Sequence, residues 1–492
     1  MKNTILFALL AFNIAVCAQP CKEIIGYYPN WQWYDRSKLV NPTSINYNKY
    51  SIINYCFFKP ETNGTITNTD SWADENLLQG QINWSTTPVS YYPNTSIIER
   101  AHNAGTKVMV SIGGWTLSDN FPSIAASSTK RTTFASECNR LIRFYNFDGI
   151  DIDWEYPGFV EHSGTTADKQ NFTLLMQEIK DSLTALGNAR GKTYLLSSCF
   201  SADPAKAQDI EWQNIVPILD MINVMSYDFF GAFDCIANHN SPLFAPTSGN
   251  PNFNLDACFK MLTQNYNVPS NKINLGVAFY GRSQMGASAL HQTTNCTANT
   301  SLFAVDEGTP LYYNTLANIS QFDSYWDSNA QVPYLLGKTG TAAQGTFVSY
   351  DNTVSIGLKA QYVKDNNARG VIIWEITGDY IESGAGTGIV QSTPLVDTLN
   401  QVFCSSSVGI NQSNKETTFS IFPNPSNDKI TVRSNDSYSS YYTINTILGK
   451  EIANGKVDSE ECRIDISDLS AGVYFLNLLH NNKWESLKLI RQ

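Results

Sequence analysis

The feature that most constrains the fold is a series of short, almost continuously apolar runs separated by longer helix-like stretches. Strands of this kind are buried on both faces, as in a parallel sheet that helices cover. The runs span residues 23–28, 51–58, 107–112, 147–154, 194–200, 221–227, 273–280 and 370–376. A closed β/α-barrel needs eight such units, so the sequence predicts this α/β fold. The alternative, a doubly wound open sheet, would favour a GxGxxG motif that does not follow the first run.

One connection is too long for a single crossover helix. Residues 281–369 separate the last two predicted strands, and they include further strand-like pieces at 310–313 and 346–349. We therefore predict a small α+β domain over residues 284–350, inserted between barrel strands seven and eight. The barrel domain as a whole is predicted to span residues 22–404.

Beyond Cys404 the composition changes. Residues 405–417 are polar and rich in Ser and Asn, which is typical of a flexible linker. Closely spaced strand-like runs follow at 419–422, 430–432, 441–447, 463–466, 473–479 and 487–490. Strands without intervening helices predict an all-β, immunoglobulin-like sandwich over residues 418–492.

The N-terminus has the pattern of an export signal. Lys2 supplies a positive charge, residues 5–16 are mostly apolar, and Val16-Cys17-Ala18 offers a small-residue cleavage site. We predict a signal peptide over residues 1–18, with a lipidated Cys17 as the alternative. The apolar run is too short to span a bilayer, and no later run reaches the required length. The mature protein is therefore expected to be secreted, without a membrane span.

The charge of the chain restricts its partners. A formal net charge of −11 argues against nucleic acid or an anionic membrane as the main partner, because both attract Lys and Arg. An acidic surface is compatible with a neutral substrate such as a polysaccharide. We expect the protein to be monomeric.

The chain contains ten cysteines, and export would permit disulfides. Cys56 and Cys199 lie inside apolar runs, where a free thiol acts as a small core residue. Cys235 and Cys258 are a candidate loop-closing pair, although spacing alone does not fix the connectivity. Because the sequence has no CxxC or HExxH motif and its five His are scattered, we predict no metal site and no cofactor.

The candidate catalytic residues stand in the fourth predicted strand, which reads Phe147-Asp-Gly-Ile-Asp-Ile-Asp-Trp-Glu-Tyr156. Asp151, Asp153 and Glu155 alternate, so a strand directs all three side chains to the active-site face of a barrel. Neighbouring carboxylates repel one another, so at least one pKa should rise. A carboxylic acid that stays protonated near neutral pH can protonate the leaving group in glycoside hydrolysis.

Two other interpretations explain these residues less well. A calcium loop also uses Asp at alternate positions, but such loops are polar, whereas Ile150, Ile152 and Trp154 are large and apolar. The other is a chance acidic cluster on an exposed strand, and the apolar flanks argue against exposure. We therefore predict a catalytic carboxyl group.

These motifs together resemble glycoside hydrolase family 18. The fourth-strand signature Asp-Gly-x-Asp-x-Asp-x-Glu is complete from Asp148 to Glu155. The other matching segments are Ser111-Ile-Gly-Gly-Trp115, Met225-Ser-Tyr-Asp228, Phe279-Tyr-Gly-Arg282 and Trp374-Glu-Ile376. The resemblance covers residues 22–404 in order, including the insertion that marks the deep-cleft chitinases.

The resemblance implies substrate-assisted hydrolysis of the β-1,4 linkages in chitin, with retention of configuration. Glu155 would protonate the glycosidic oxygen, and the substrate's own 2-acetamido carbonyl would attack the anomeric carbon to give an oxazolinium ion. Asp153 would orient the acetamido group, while Asp151 would hold the proton of Asp153. Tyr227, helped by Asp228, would hydrogen-bond the acetamido oxygen. The implied role is polysaccharide catabolism.

Aromatic residues complete the implied site, because flat side chains match the apolar faces of sugar rings. Trp374 would form the floor of the subsite beside the cleaved bond, with Tyr27 and Phe57 close by. Trp31 and Trp115 would line the cleft further out. The resemblance implies further substrate contacts at Gly114, Met225, Tyr280 and Arg282.

The C-terminal segment resembles the sorting domain of the type IX secretion system of Bacteroidota. The matching segments are Phe422-Pro-Asn-Pro425, Leu469-Ser-Ala-Gly-Val-Tyr-Phe475 and Lys488-Leu-Ile-Arg-Gln492. This resemblance implies export by that machinery to the medium or the cell surface. A carbohydrate-binding module is the alternative, but Trp484 is the only Trp in the segment, which is a weak basis for an aromatic binding strip.

Two alternatives to chitin hydrolysis stay open at this stage. An endo-β-N-acetylglucosaminidase acting on N-glycans would share the fourth-strand signature, although the insertion and Tyr280-Gly-Arg282 favour a long linear substrate. A chitin-binding lectin on the same barrel would be expected to lack the acid, whereas Glu155 is present with both aspartates.

Overall fold

The computed structural model describes residues 21–304, 308–404, 419–434, 440–446, 451–480 and 483–491. These residues form two compact units, one before residue 405 and one after residue 418. The predicted signal peptide 1–18 and the predicted linker 405–417 lie outside the described residues. Within the described ranges, no helix is long and apolar enough to cross a membrane.

The first unit is built around a closed barrel of parallel strands, which confirms the predicted fold. Each barrel strand pairs with the next, and the first also pairs with the last, which closes the sheet. The strands are Glu23–Pro29, Ile52–Pro60, Lys107–Gly113, Gly149–Asp153, Leu195–Ser201, Met221–Met225, Ile273–Ala278 and Gly370–Trp374. A short strand, Ile66–Asn68, pairs antiparallel with the end of the second. The predicted strands thus differ from the observed ones by only a residue or two at each end.

Helices follow the barrel strands and pack around them. The α-helices are Ser71–Asp74, Ile97–Ala104, Phe121–Ala125, Ser128–Tyr145, Asp168–Arg190, Pro204–Ala207, Trp212–Ile218, Leu255–Lys260, Tyr312–Asn318, Thr353–Asp365 and Pro394–Cys404. Local side chains set several helix starts. The Ser96 hydroxyl accepts a hydrogen bond from the Glu99 amide at 3.1 Å, and the Asn352 side chain accepts from the amides of Val354 and Ser355. Such N-caps satisfy donors that the first helical turn leaves free.

The barrel strands are buried on both faces, which explains why their sequences are so apolar. On the fourth strand, Ile150 and Ile152 belong to the large core between the barrel and its helices. Asp151 and Asp153 alternate with them and therefore point into the barrel. The same alternation on the neighbouring strands directs their polar residues toward the barrel interior.

The chain between the seventh and eighth barrel strands forms an antiparallel sheet. In spatial order its strands are Arg282–Met285, Thr346–Ser349, Val332–Gly337 and Phe322–Asp327. The expected strand at 310–313 is wrong, because Leu311 makes only an isolated bridge with Tyr280 and the helix Tyr312–Asn318 begins directly afterwards. The limits 284–350 for this inserted domain remain a prediction.

Disulfides join Cys21 to Cys404 and Cys235 to Cys296. The expected pairing of Cys235 with Cys258 is therefore wrong. Cys258 is buried on the helix Leu255–Lys260, whereas the partner of Cys235 comes from the inserted segment. The thiols of Cys56 and Cys199 are buried and free, as the sequence predicts.

The second unit is all-β, as predicted. One sheet contains Phe419–Phe422, Lys429–Ser434 and Glu461–Asp465, and the other contains Glu451–Val457, Ser440–Thr446, Gly472–His480 and Lys483–Arg491. Residues of both sheets share one apolar core, which includes Ile430, Val432, Leu476 and Leu478. The strand Glu451–Val457 was not predicted, because it lies at a sheet edge and most of its side chains are exposed or half-buried.

A buried ion pair connects the helix Thr353–Asp365 to the loop after the sixth barrel strand. Lys359 Nζ lies 2.7 Å from Asp351 Oδ2, and it also donates to the carbonyl and hydroxyl oxygens of Ser241, at 2.5 and 2.9 Å. Both charged side chains are buried. Because a buried charge without its partner is strongly destabilising, this contact fixes the position of the helix.

Replacing Lys359 with Met should destabilise the first unit by about 3–5 kcal/mol, because Asp351 stays buried without its counter-ion. Adding Asp351→Leu should recover much of that loss. Urea unfolding followed by tryptophan fluorescence measures both, since every Trp except Trp484 precedes residue 405. The Lys260–Asp256 pair, whose lysine side chain is 56% exposed, is the control, and Lys260→Met should cost at most about 0.5 kcal/mol. Equal losses for the two Lys variants would contradict this account.

Candidate active site

The candidate active site lies at the carboxyl end of the fourth barrel strand, Gly149–Asp153. Asp151 and Asp153 point into the barrel from this strand, and Glu155 follows just beyond its end. Side chains two residues apart on a strand are separated by about 6–7 Å. The structure therefore brings the predicted carboxyl groups into one line that runs from the barrel interior to its mouth.

Asp151, at the inner end of this line, is surrounded by hydrogen-bond donors. Its carboxylate accepts from Tyr27 Oη and Ser111 Oγ at 2.8 Å, from Ser197 Oγ at 2.5 Å and from Asn223 Nδ2 at 3.1 Å. Burial raises the pKa of Asp151, while these hydrogen bonds oppose the rise. The donors therefore stabilise a carboxylate at a position where burial alone would neutralise it.

Asp153 has a different environment. Its side chain is almost fully buried, at 4% exposure, and its Oδ1 has no hydrogen-bond partner among the described residues. Burial raises the pKa of Asp153 well above its ordinary value, and repulsion by Glu155 and Asp151 raises it further. Both effects favour the protonated form of the Asp153 carboxyl group.

Glu155 is half-buried at the mouth of the barrel. Burial raises the pKa of Glu155 to about 7; a hydrogen bond from Tyr156 opposes the rise, and the charge of Asp228 adds to it. The Glu155 backbone is held on both sides, because its amide donates to Ser118 Oγ at 2.9 Å and its carbonyl oxygen lies 2.5 Å from His162 Nδ1. A carboxyl group with this pKa can give up and take back a proton near neutral pH.

Asp228 is held by two residues that follow the seventh barrel strand. Tyr280 Oη donates to Asp228 Oδ1 at 2.5 Å. Arg282 donates to the same oxygen through Nε at 2.9 Å and through Nη2 at 2.7 Å. These contacts hold the Asp228 carboxylate in place, and its charge raises the pKa of Glu155.

Tyr227 and Met225 lie at the end of the sixth barrel strand, and both are 9% exposed. The ring centroid of Tyr227 is 6.1 Å from that of Tyr280. Burial raises the pKa of Tyr227 well above its usual value. Its hydroxyl therefore remains protonated and can donate a hydrogen bond.

An aromatic floor, formed by Trp31, Phe57 and Trp374, lies beside the carboxyl groups. The Trp374 ring centroid is 5.7 Å from that of Phe57, with nearly parallel planes, and 6.4 Å from that of Trp31. Trp31 is 46% exposed, so the floor reaches solvent. Tyr27, expected close to Trp374 and the substrate, has its ring centroid 5.8 Å from that of Trp374. It is 1% exposed, and its hydroxyl contacts Asp151.

Gly114 lies between the aromatic floor and the exposed side chain of Trp115. Its amide donates to the Asp153 carbonyl at 2.7 Å, its φ is 94°, and a Cβ there would lie 2.7 Å from the Phe57 ring. Only glycine fits this conformation and this close approach. Trp115 follows directly, with 53% exposure, and its ring centroid lies 4.5 Å from that of His162.

Several residues serve this site without having been predicted to do so, namely Ser111, Ser118, His162, Ser197, Cys199 and Asn223. Cys199 Sγ lies 2.9 Å from Tyr27 Oη, so this thiol is part of the network around Asp151 as well as of the core. The alternation that identified the carboxylates could have found Ser197, Cys199 and Asn223, because each is a small or polar residue at an inward position of a barrel strand. Ser118 and His162 lie outside the barrel strands, where no periodic signal exists.

This arrangement can protonate a leaving group beside a surface suited to sugar rings. The described residues contain no group of three or more His, Cys, Asp and Glu side chains that could hold a metal ion. Acid–base chemistry by carboxyl groups at the mouth of a β/α-barrel is the chemistry of glycosidases. The fold and the site thus define a barrel glycosidase.

Comparison with known families assigns the chain more narrowly. The model described as glycosyl hydrolases family 18 matches residues 23–379, so the chain belongs to that family and is a glycoside hydrolase. A second model, described as a secretion system C-terminal sorting domain, matches residues 420–492. This domain indicates export through the type IX system to the medium or the cell surface, which confirms the prediction from the C-terminal motifs.

Several similar proteins bear the name chitinase. Chitinase A1 of Niallia circulans is 34% identical over 400 residues, covering 73% of this chain and 56% of that protein. Chitinase 1 of Aphanocladium album is 30% identical over 371 residues, covering 71% of this chain and 80% of that protein. The structure of chitinase ChiA74 from Bacillus thuringiensis gives a TM-score of 0.67 at 26% identity, covering 96% of this chain and 85% of that one. The chain thus spans little more than half the length of Chitinase A1.

Gly114→Ala should destabilise the first unit by roughly 2–4 kcal/mol, because backbone strain and an overpacked contact with Phe57 each add to the loss. Near-ultraviolet circular dichroism should also change, since the aromatic floor must shift. Gly105→Ala is the matched control: its φ is 80° but its Cβ would meet no atom within 4 Å. That variant should lose only about 1–2 kcal/mol. Equal losses and unchanged aromatic dichroism would refute the close approach at Gly114.

Proposed function

We propose that this protein is a chitinase, which hydrolyses the β-1,4 linkages between N-acetylglucosamine units of chitin and chitooligosaccharides. The observation that carries the proposal is the line of carboxyl groups, in which the pKa of Glu155 is raised to about 7 and the pKa of the neighbouring Asp153 is raised as well. The relatives named chitinase support the choice of substrate. Because the sorting domain indicates export, the proposed role is digestion of polysaccharide outside the cell.

In the first step, Glu155 gives its proton to the glycosidic oxygen. The carbonyl oxygen of the substrate's 2-acetamido group attacks the anomeric carbon, and the bond to the leaving sugar breaks with inversion. The product is an oxazolinium ion instead of a glycosyl-enzyme. The raised pKa of Asp153 supports this route, because it favours a protonated carboxyl group, which is a poor nucleophile.

Asp153 and Asp151 act as a pair in this proposal. Asp153 orients the acetamido group, and it passes its proton to Asp151 as positive charge develops on the acetamido nitrogen. The resulting Asp153 carboxylate stabilises that charge. The hydroxyl groups of Ser111 and Ser197, which donate to Asp151 in the resting site, can rotate when Asp151 accepts the proton.

Tyr227 donates a hydrogen bond to the acetamido oxygen, which holds this oxygen near the anomeric carbon. Asp228 raises the pKa of Glu155 and so keeps the acid protonated at the start of the cycle. In the second step, Glu155 acts as a base and takes a proton from the attacking water. The second inversion restores the original configuration, so the reaction is retaining.

The substrate chain is proposed to lie across the aromatic residues at the mouth of the barrel. Trp374 supports the sugar next to the cleaved bond, and Trp31 and Trp115 support sugars further along the chain. The remaining proposed contacts are Phe57, Gly114, Met225, Tyr280 and Arg282. Tyr27 acts through Asp151 rather than on the sugar, because it is buried beneath the floor.

Glu155→Gln should reduce hydrolysis of the N-acetylglucosamine hexamer by roughly 10²–10⁴-fold, because an amide cannot supply the proton. Binding of the hexamer, followed by tryptophan fluorescence, should stay close to the wild-type value. Mass spectrometry of the released oligomers measures the rate. Glu161→Gln is the matched control, since Glu161 is exposed on the loop that follows Glu155, and it should change neither quantity.

The possible outcomes separate the candidate functions. Loss of binding together with turnover in Glu155→Gln would contradict the role of Glu155 as the acid. An intact hexamer with wild-type protein, combined with sugar release from N-glycans, would indicate an endo-β-N-acetylglucosaminidase. A hexamer that binds but stays intact, with N-glycans also uncleaved, would indicate a lectin.

The pH dependence of hydrolysis should follow Glu155. Because the acid must be protonated and its pKa is about 7, kcat/KM for the hexamer should fall about tenfold per pH unit above pH 7. Asp228→Asn should move this alkaline limb to lower pH, since it removes a charge that raises the pKa of Glu155. Asp181→Asn, on the outer helix Asp168–Arg190, should leave the limb in place. A limb that Asp228→Asn does not move would contradict this electrostatic coupling.

A further inference from the structure

His162 connects the backbone of the proposed acid to an exposed aromatic residue. It ends the 3₁₀ turn Val160–His162, on the loop that follows Glu155. Its Nδ1 lies 2.5 Å from the carbonyl oxygen of Glu155. Its ring centroid lies 4.5 Å from that of Trp115, with the two planes at 62°. One imidazole therefore contacts both the strand end that carries the acid and the indole beside it.

The contact with Glu155 fixes the orientation of the imidazole. A carbonyl oxygen only accepts hydrogen bonds, so His162 Nδ1 carries a hydrogen and donates it. The ring cannot turn away from Trp115 without breaking this bond. The hydrogen bond and the edge-on ring contact thus support each other.

The loop that carries His162 is held by further hydrogen bonds. The Asp168 carboxylate accepts from the amides of Gly158 at 3.1 Å and Thr165 at 2.8 Å, which closes the loop across its base. Inside the loop, the Phe159 carbonyl accepts from the His162 amide at 3.1 Å. These hydrogen bonds restrain the loop, and the loop in turn sets the position of His162.

Trp115 depends on such support because it is 53% exposed and Gly114, the residue before it, has no side chain to pack against it. A sugar that stacks on a loose indole must first restrict its rotamers, which weakens binding. An indole that a neighbouring ring already holds avoids this loss. The imidazole of His162 provides such a ring at 4.5 Å, nearer than the ring of Phe159, whose centroid lies 5.7 Å from that of Trp115.

We propose that His162 is a positioning residue that sets the sugar-binding surface of Trp115 relative to the proton of Glu155. The inference rests on the chitinase function proposed above and specifies it: the favoured substrates are chitooligosaccharides long enough to cover Trp115. The ring contact acts on substrate binding, whereas the hydrogen bond to the Glu155 carbonyl acts on proton transfer. Because different parts of the imidazole make the two contacts, substitutions can separate them.

His162→Asn keeps a side-chain N–H but removes the ring, and His162→Phe keeps a ring but removes the donor. With the N-acetylglucosamine hexamer, the Asn variant should raise KM roughly three- to tenfold at nearly unchanged kcat, the size expected for one lost ring contact. The Phe variant should lower kcat by roughly three- to tenfold at nearly unchanged KM, as expected for one lost hydrogen bond. Val160→Ala, at a 77% exposed position on the same turn, should change neither constant.

A merely structural role would give a different pattern. Parallel changes of kcat and KM in both His162 variants, together with lower thermal stability, would overturn the proposal, and so would wild-type kinetics in both. Fluorescence titration with the hexamer in the Glu155→Gln background tests the Trp115 contact without turnover. In that background, His162→Asn should weaken hexamer binding about threefold or more, whereas His162→Phe should not weaken it. If wild-type protein left the hexamer intact, the chitinase function would fail while this titration would still decide the role of His162.

Discussion

Three carboxyl groups, two of them buried and one half-buried, lie in one line at the end of a barrel strand. They lose hydration and repel one another, and the surrounding structure offsets this penalty differently for each. Asp151 receives hydrogen bonds from four side chains. Burial and both neighbours raise the pKa of Asp153, which favours its protonated form. Glu155 lies at the mouth, where its pKa rises only to about 7. In the proposed mechanism, these differences make Asp151 a proton acceptor and Glu155 the proton donor to the leaving group.

The closed barrel is what makes this division of roles possible. The donors to Asp151 come from the first, third, fifth and sixth strands, through Tyr27, Ser111, Ser197 and Asn223. Only a sheet that closes on itself brings residues from so many strands to one interior point. The same closure places Phe57 of the second strand against Trp374 of the eighth, so the aromatic floor also depends on it. The acid and the sugar-binding surface are therefore products of one architecture.

Much of this could be predicted because it depends on short-range periodicity. Continuous apolar runs identified the barrel strands, and alternation along one of them identified Asp151, Asp153 and Glu155. The features that could not be predicted depend on contacts between distant segments. The partner of Cys235 is Cys296 of the inserted segment, and spacing favoured Cys258 instead.

Tyr27 illustrates the same limit within the site. Its position on the first strand could be predicted, but its burial beneath Trp374 depends on the eighth strand, which follows hundreds of residues later. His162 gave no signal, because a loop residue has no periodic pattern to mark its role. The edge strand Glu451–Val457 was missed for a related reason, since its few apolar residues do not form a recognisable run.

The central claim is that Glu155 supplies the proton while the substrate supplies the nucleophile, so that no direct attack by water cleaves the glycosidic bond. Proton nuclear magnetic resonance of the first products from the N-acetylglucosamine hexamer tests this most directly, before the anomers equilibrate. The account predicts that the newly formed reducing ends are predominantly the β-anomer, because two inversions retain the configuration. A predominance of the α-anomer would mean a single inversion by water, and it would contradict the roles given to Asp153 and Glu155.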